Sequence, residues 1–244
     1  EVVKIENPKT GDPARRVLPG KAPDDPWYFH MFNANKKSLA IDLKSPRGLA
    51  LVKDMLKKAD ITVENMAPGT IERLGLGYDD VRTLNPRIIY CSIQGFGTGS
   101  KYEKGLAFDM IAQAAGGMIS VTGEPDRPPV KPGPSFGDTG TGMLMAVTIL
   151  GALHERQRTG QGRRLQVAMQ DAMIHYMRTC FATQARTGTA ARSRRTPLRS
   201  PSSATSGGGR SGTRTPWRRT SSPPRTRSTS PRAKRCGSGS RATT

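Results

Sequence analysis

After position 185 the chain stops using acidic residues. Residues 186–244 hold 14 Arg, one Lys and neither Asp nor Glu, so this stretch supplies +15 of the formal net charge of +20. Leu198 and Trp217 are its only large apolar side chains, set among Ser, Thr, Pro and Gly. Such a segment cannot bury enough surface to offset the entropy lost on ordering, and disorder is expected there. Residues 1–185 hold 24 Lys and Arg against 19 Asp and Glu, an ordinary balance for a folded body. The division predicts one domain over 1–185 and a basic tail over 186–244. The tail has two readings. A natural basic arm would attract nucleic acid through phosphates alone, since it has no aromatic interleaving and no reader motif. A GC-rich gene read out of frame would yield the same residue vocabulary.

The body alternates strand and helix. EVVKIE at 1–6 reads as a strand that starts inside a fold, with a segment expected before it. Residues 7–27 read as loop, and YFHMFNANKKSLAIDL ends in a strand at 39–43. Ser45 and Pro46 form a helix N-cap and first-turn proline before an amphipathic helix over 47–59. ITVEN (61–65) is a β-branched strand, TIERLG and YDDVRTLN are short helical pieces, and RIIYCSI (87–93) is a strand. FDMIAQAAGG is helical, RRLQVAM is a strand and residues 170–185 form a helix. This order predicts an α/β fold with a Rossmann-like, mostly parallel sheet and flanking helices, where ligands sit beyond the carboxyl ends of the strands.

Several function classes lack their motifs. There is no dinucleotide fingerprint after a strand, no GK[ST] phosphate loop and no GxSxG elbow. His30, His154 and His175 are scattered without partners at ligand spacing, so no metal is expected. Cys91, Cys180 and Cys236 are odd in number and far apart, which suits a reducing cytoplasm. The longest apolar run, MLMAVTILGAL, is shorter than the roughly 20 residues that span a bilayer, and no signal-peptide pattern opens the chain. A soluble, cytoplasmic protein without membrane contact is expected.

The stretch PSFGDTGTGMLMA at 134–146 sets one carboxylate, Asp138, between glycines at the start of an apolar helix. Pro125, Pro128, Pro129, Pro132 and Pro134 stiffen the approach. The helix is apolar nearly all round, so burial is expected, with Arg156 and Arg158 near its C-terminus and Gly160 as its stop. Two readings of Asp138 stay open on this pattern: an N-cap that accepts a backbone hydrogen bond, or a catalytic carboxylate.

Five stretches in one order bear on that choice: NKKSLAIDLKSPRG, VENMAPGTIERLGLGYDDVRTLNPRIIYCSIQGFG, FDMIAQAAGG, GDTGTGM and HERQRTGQGRRLQVAMQDA. Together they resemble the family III CoA-transferases, over residues 1 to about 183. The resemblance implies the large domain of that family and places Asp138 on its catalytic aspartate. There the carboxylate attacks an acyl-CoA thioester to give a mixed anhydride and then an aspartyl-CoA thioester, from which a carboxylic acid acceptor takes the CoA. A carboxylate suits the task because its acyl derivatives stay activated. The resemblance also implies coenzyme A contacts. Lys44 and Arg73 match positions at its phosphate end, Asn65 and Met66 match the loop along it, and Ile41 matches a position beside the adenine. Asp109 lies in a matching segment near the site. Without the resemblance, Lys44 reads as a solvated strand-end charge and Arg73 as a helix-surface residue.

Acyl-CoA racemases share the fold but use a histidine with an aspartate, and Phe108 stands here where GHD would place the imidazole. Transferase is the preferred expectation. Family members form interlocked dimers, so a homodimer is implied. The family's first strand and turn, its glycine-rich closing loop and its second domain are not matched. The resemblance and the acidic residues end at the same place, which favours the frame reading of the tail. Reading the gene past codon 185 in all three frames is expected to reveal about 200 further residues of ordinary α/β composition. The absence of an alternative open frame, or a monodisperse chain with a trypsin-resistant tail, would instead support a selected arm.

Overall fold

The computed structural model describes residues 1–16, 26–124 and 126–188. In chain order the elements are β1 (Val2–Glu6), α1 (Trp27–Asn33), β2 (Lys36–Ala40), α2 (Pro46–Leu56), β3 (Ile61–Glu64), α3 (Thr70–Arg73) and α4 (Tyr78–Leu84). They are followed by β4 (Ile89–Gln94), α5 (Asp109–Ala115), α6 (Phe136–Thr159), β5 (Arg163–Ala168), α7 (Met169–Tyr176) and α8 (Arg178–Thr187). Every strand pairing among the described residues is parallel. β1 pairs with β2, Val2 opposite Lys36 and Glu6 opposite Ala40. β4 lies between β3 and β5 in a second sheet.

The continuous apolar run of β4 explains its central place. Its residues alternate between two cores because successive side chains point to opposite faces. Tyr90 joins Val52, Leu56, Ile71, Leu76 and Val81 from the α2, α3 and α4 side. Ile89 and Cys91 join Met145 and Ala152 of α6 and Leu165 of β5. Helices therefore cover both faces of the sheet, the α/β arrangement read from the sequence. A third cluster ties α5 to α7 through Ala112, Met169, Ala172 and Met173.

The start of α2 forms as its sequence requires: the Ser45 Oγ accepts from the Gly48 N–H at 3.0 Å, and Pro46 opens the first turn. Four expectations are corrected. The strand expected at 39–43 runs over Lys36–Ala40, because its register is set by pairing with β1; Ile41 then turns into the core and its N–H donates to the Glu6 carbonyl at 3.0 Å. The stretch 170–185 is two helices, broken at Met177, whose N–H is shared between the Met173 and Ile174 carbonyls. Helix α6 has 24 residues, so it is long and apolar enough to cross a bilayer by length and composition. It is not buried all round, since Met143, Val147 and Leu150 are 67%, 64% and 66% exposed. Its buried side rests on β4 and β5, and Gly160 ends it in the left-handed region at φ 75°. Helix α8 carries helical structure to Thr187, and residues 189–244, the bulk of the expected tail, lie outside the described residues.

At the carboxyl end of β1, buried Glu6 anchors the first sheet. Its two oxygens accept from the Arg15 Nε and Nη2 at 3.0 Å each, from the Ser38 Oγ at 2.8 Å and from the Asp12 N–H at 3.0 Å. The Arg15 guanidinium foremost, helped by Ser38 and opposed by burial, lowers its pKa from 4.5 to about 2. A depressed carboxylate contributes stability that is full above its unfolded pKa and is lost as pH falls through the folded one. Thermal unfolding followed against pH is therefore expected to show that contribution vanishing between about 4.5 and about 2. Glu6→Gln should lower neutral-pH stability by about 1.5–3 kcal/mol and flatten that limb. An unchanged limb would remove Glu6 as the anchor.

Candidate active site

Asp138 does not cap α6. The helix begins at Phe136, so Asp138 is the third helical residue, and Ser135 at the cap position makes no side-chain capping bond. The N–H of buried Gly137, which has no acceptor within its own helix, is satisfied from another element: the Asp109 Oδ1, at the start of α5, accepts it at 2.8 Å. Because Asp109 takes over the capping task, the carboxylate of Asp138 is left without a hydrogen bond or ion pair among the described residues. It is open to solvent on one side. Crowding by surrounding protein, and then the negative charge of Asp109, raise its pKa above the ordinary aspartate value, while Lys131 acts in the opposite direction. A carboxylate in such a place is a strong candidate nucleophile or base.

The surroundings hold that turn tightly. Asp109 Oδ1 also accepts from the Gln113 Nε2 at 2.9 Å, and its Oδ2 lies 3.3 Å from the Lys131 ammonium. Gln113 is fully buried, and its Oε1 has no partner. A Cβ on Gly137 would lie 2.7 Å from the Asp109 carbonyl oxygen and 2.9 Å from its Cα, so α5 and α6 approach as closely as they do only because this residue is glycine. Gly140 meets Tyr176 of α7 in the same way: an added Cβ would be 2.8 Å from the ring, whose hydroxyl donates to the Gly140 carbonyl at 3.1 Å. The turn that carries Asp138 is clamped from both sides.

The other site residues read from the sequence fall on loops that follow strand ends, except Arg73, which ends the short helix α3. Ile41 is buried in the core beside α2, and Met66 packs against the same cluster. Lys44 is exposed in the β2–α2 turn, where its backbone N–H donates to the Asp42 Oδ1 at 2.9 Å. Asn65 is exposed directly after β3. Arg73 is exposed at the end of α3, bonded to the Thr70 Oγ1 at 3.0 Å, and lines a cleft of about 800 Å³. Gln94 and Gln166, from the carboxyl-terminal halves of β4 and β5, line the same cleft with Lys104 and Arg164. The structure thus joins Asp109 to the Asp138 turn and Ile41 to Met66. No hydrogen bond or ion pair among the described residues links Asp138 to Lys44 or Arg73.

Sequence reasoning missed Lys131, Gln113 and Tyr176. Only the glycines at 137 and 140 signalled that something large had to come close. Cys91 is no rival nucleophile, since burial pushes its thiol up to about 11. No group of three or more His, Cys, Asp or Glu side chains able to hold a metal occurs among the described residues.

Parallel strands covered by helices, with an unpaired carboxylate in a glycine-lined helix turn, define an α/β protein with a candidate site at the start of α6. Residues 1–207 match the pattern of CoA-transferase family III, and the chain belongs to that family. It is 42% identical over 186 residues to the formyl-CoA:oxalate CoA-transferase of Streptomyces avermitilis, covering 76% of this chain and 45% of that protein. The enzyme of the same name from Escherichia coli O6:H1 is 39% identical over the same share of each chain. Among solved structures, a CAIB/BAIF family protein from Brucella suis matches with a TM-score of 0.75 and 34% identity, over 79% of this chain and 52% of the other. A Mycobacterium tuberculosis protein matches with a TM-score of 0.69 and 31% identity, over 76% and 52%. The chain spans about half the length of the curated relatives it matches.

The two kinds of glycine in α6 are separable by substitution. Gly137→Ala drives a methyl into α5 backbone that cannot yield and is expected to destabilise by about 1–3 kcal/mol. Gly151→Ala meets nothing within 4 Å and should gain about 0.8–1 kcal/mol from helix propensity. Urea denaturation midpoints should move in opposite directions; equal shifts would mean that the α5 contact does not constrain the turn.

Proposed function

We propose that this protein transfers CoA from an acyl-CoA thioester to a carboxylic acid, with Asp138 as the nucleophile. A carboxylate oxygen of Asp138 attacks the thioester carbonyl, the C–S bond breaks and the CoA thiolate leaves with the electron pair. The thiolate then attacks the Asp138 acyl carbon of the mixed anhydride, releasing the donor acid and forming an aspartyl-CoA thioester. The acceptor carboxylate repeats the sequence in reverse and departs as its CoA ester. No proton has to be moved, which suits a site whose only engaged carboxylate, Asp109, is committed to helix capping.

One observation carries this reading: the Asp138 carboxylate is left without a partner in a turn where Asp109 accepts from the Gly137 N–H and Tyr176 donates to the Gly140 carbonyl. Like charge and crowding destabilise its anion, and with no hydrogen bond committing its lone pairs the carboxylate is more basic than a paired one, which favours attack. Lys44 and Arg73 are assigned to the phosphate end of coenzyme A, Asn65 and Met66 to the loop along it and Ile41 to a position beside the adenine. The cleft beside Arg73, where Arg73, Lys104 and Arg164 outnumber Glu72 and Glu103 on the wall, supports placing anionic cofactor there. A racemase reading is weaker because Phe108, 76% exposed, offers no proton where an imidazole would be needed. A homodimer is part of the proposal and is supported by the exposed apolar stripe on α6. The reaction is assigned to the cytoplasm, in keeping with the unpaired thiols of Cys91 and Cys180.

Asp138→Ala is expected to abolish acyl exchange while leaving CoA affinity nearly unchanged, and hydroxylamine added during turnover should label Asp138. Attack needs the ionised form, so the acid limb of kcat/KM should lie above the ordinary aspartate range, activity falling as pH drops through the raised pKa. Lys44→Ala and Arg73→Ala should raise KM more than they lower kcat, each by a contact worth about 1.5–3 kcal/mol. Label on another carboxylate, or normal turnover in Asp138→Ala, would sink the assignment.

A further inference from the structure

Lys131 stands at the hinge of the approach to α6. Its ammonium donates to the Pro132 carbonyl at 3.0 Å and the Pro134 carbonyl at 3.4 Å, and lies 3.5 Å from that of Gly133. Pro132 and Pro134 have no N–H, so this loop cannot close by backbone bonding alone, and one three-donor cation inside the turn gathers its carbonyls instead. The same ammonium is 3.3 Å from Asp109 Oδ2, with the two side chains only 28% and 14% exposed. The other oxygen of Asp109 holds the Gly137 N–H, one residue before Asp138. A continuous line of contacts therefore runs from Lys131 through Asp109 to the turn that carries the nucleophile.

We propose that Lys131 is a positioning residue for Asp138: it fixes the proline loop and Asp109 together, and it supplies the positive charge that balances two neighbouring carboxylates in the site. This rests on the reading of Asp138 as nucleophile. Two carboxylates without a counter-ion resist joint ionisation, and only an ionised Asp138 attacks. Burial and Asp109 raise the pKa of Asp138, and Lys131 opposes them. The charged groups on neighbouring elements do not replace it. From α7 the nearest titratable side chain is Tyr176, bonded to the Gly140 carbonyl; His175 is engaged by Arg178, and Asp171 lies beside Gly97. The pairs Arg156 with Asp60 and Arg163 with Glu155 hold the far end of α6, about 26 Å away at 1.5 Å per residue.

The two members of the ion pair act on Asp138 with opposite sign, which separates this role from simple loss of structure. In the full chain carrying 13C at aspartate side-chain carboxyls, the Asp138 resonance is the one lost in Asp138→Asn, and its titration midpoint is read by NMR. Lys131→Met is expected to move that midpoint up. Asp109→Asn, which keeps an oxygen for the Gly137 N–H but removes the charge, is expected to move it down, and Lys131→Arg should leave it near the parent value. Should Lys131→Met not fold, Lys131→Gln, which keeps a donor for the carbonyls, carries the same expectation. An unmoved midpoint in the neutral variants, or shifts of the same sign from Lys131→Met and Asp109→Asn, would overturn the proposal. Hydroxylamine labelling separates the two readings: label elsewhere with these shifts intact removes the nucleophile and leaves the coupling, whereas label on Asp138 without the shifts does the reverse.

Discussion

The hydrogen bond from the Gly137 N–H to the Asp109 side chain is the interaction on which the site depends. A helix N-terminus must find acceptors for its exposed N–H groups, and most helices find one in their own cap residue. Here the acceptor comes from a different helix, so the orientation of α5 against α6 and the start of α6 are fixed by one contact. That contact relieves Asp138 of a structural duty. The same carboxylate brings a negative charge close to Asp138, and the protein answers with Lys131 on the other oxygen.

Much of the fold was legible because its signals are local. Ser45 followed by Pro46 marks a helix start whatever surrounds it, and the apolar run of β4 needs two covered faces. Where the outcome depends on a partner, the sequence was mute. The register of β2 follows from β1, 30 or so residues earlier, and shifts the strand so that Ile41 leaves the sheet for the core. The break at Met177 has no proline or glycine to announce it. The all-round apolar character of α6 suggested burial, yet among the described residues only one of its sides is covered.

The site was legible in a different way. Asp138 stood out, but spacing alone left it divided between cap and catalyst, and the group that takes the cap's part is Asp109, 29 residues earlier in the chain. Resemblance named both residues without saying what Asp109 does. Its capping of α6, the clamp of Tyr176 on Gly140 and the gathering of proline carbonyls by Lys131 are three-dimensional facts, unreadable from residue types at fixed spacing.

The glycines at 137, 140 and 142 give the start of α6 a history as well as a shape. Each costs about 1 kcal/mol of helix propensity relative to alanine, so the first turns of α6 are poor helix on their own and are the part least able to nucleate. Their order is borrowed from α5 and α7, whose Asp109 and Tyr176 reach them only after those helices have docked. The geometry around Asp138 therefore depends on contacts between helices rather than on the local stability of α6. With α5 and α7 undocked, Asp138 would sit on a frayed helix end, so the surroundings of its carboxylate are a property of the packed fold and not of the helix alone.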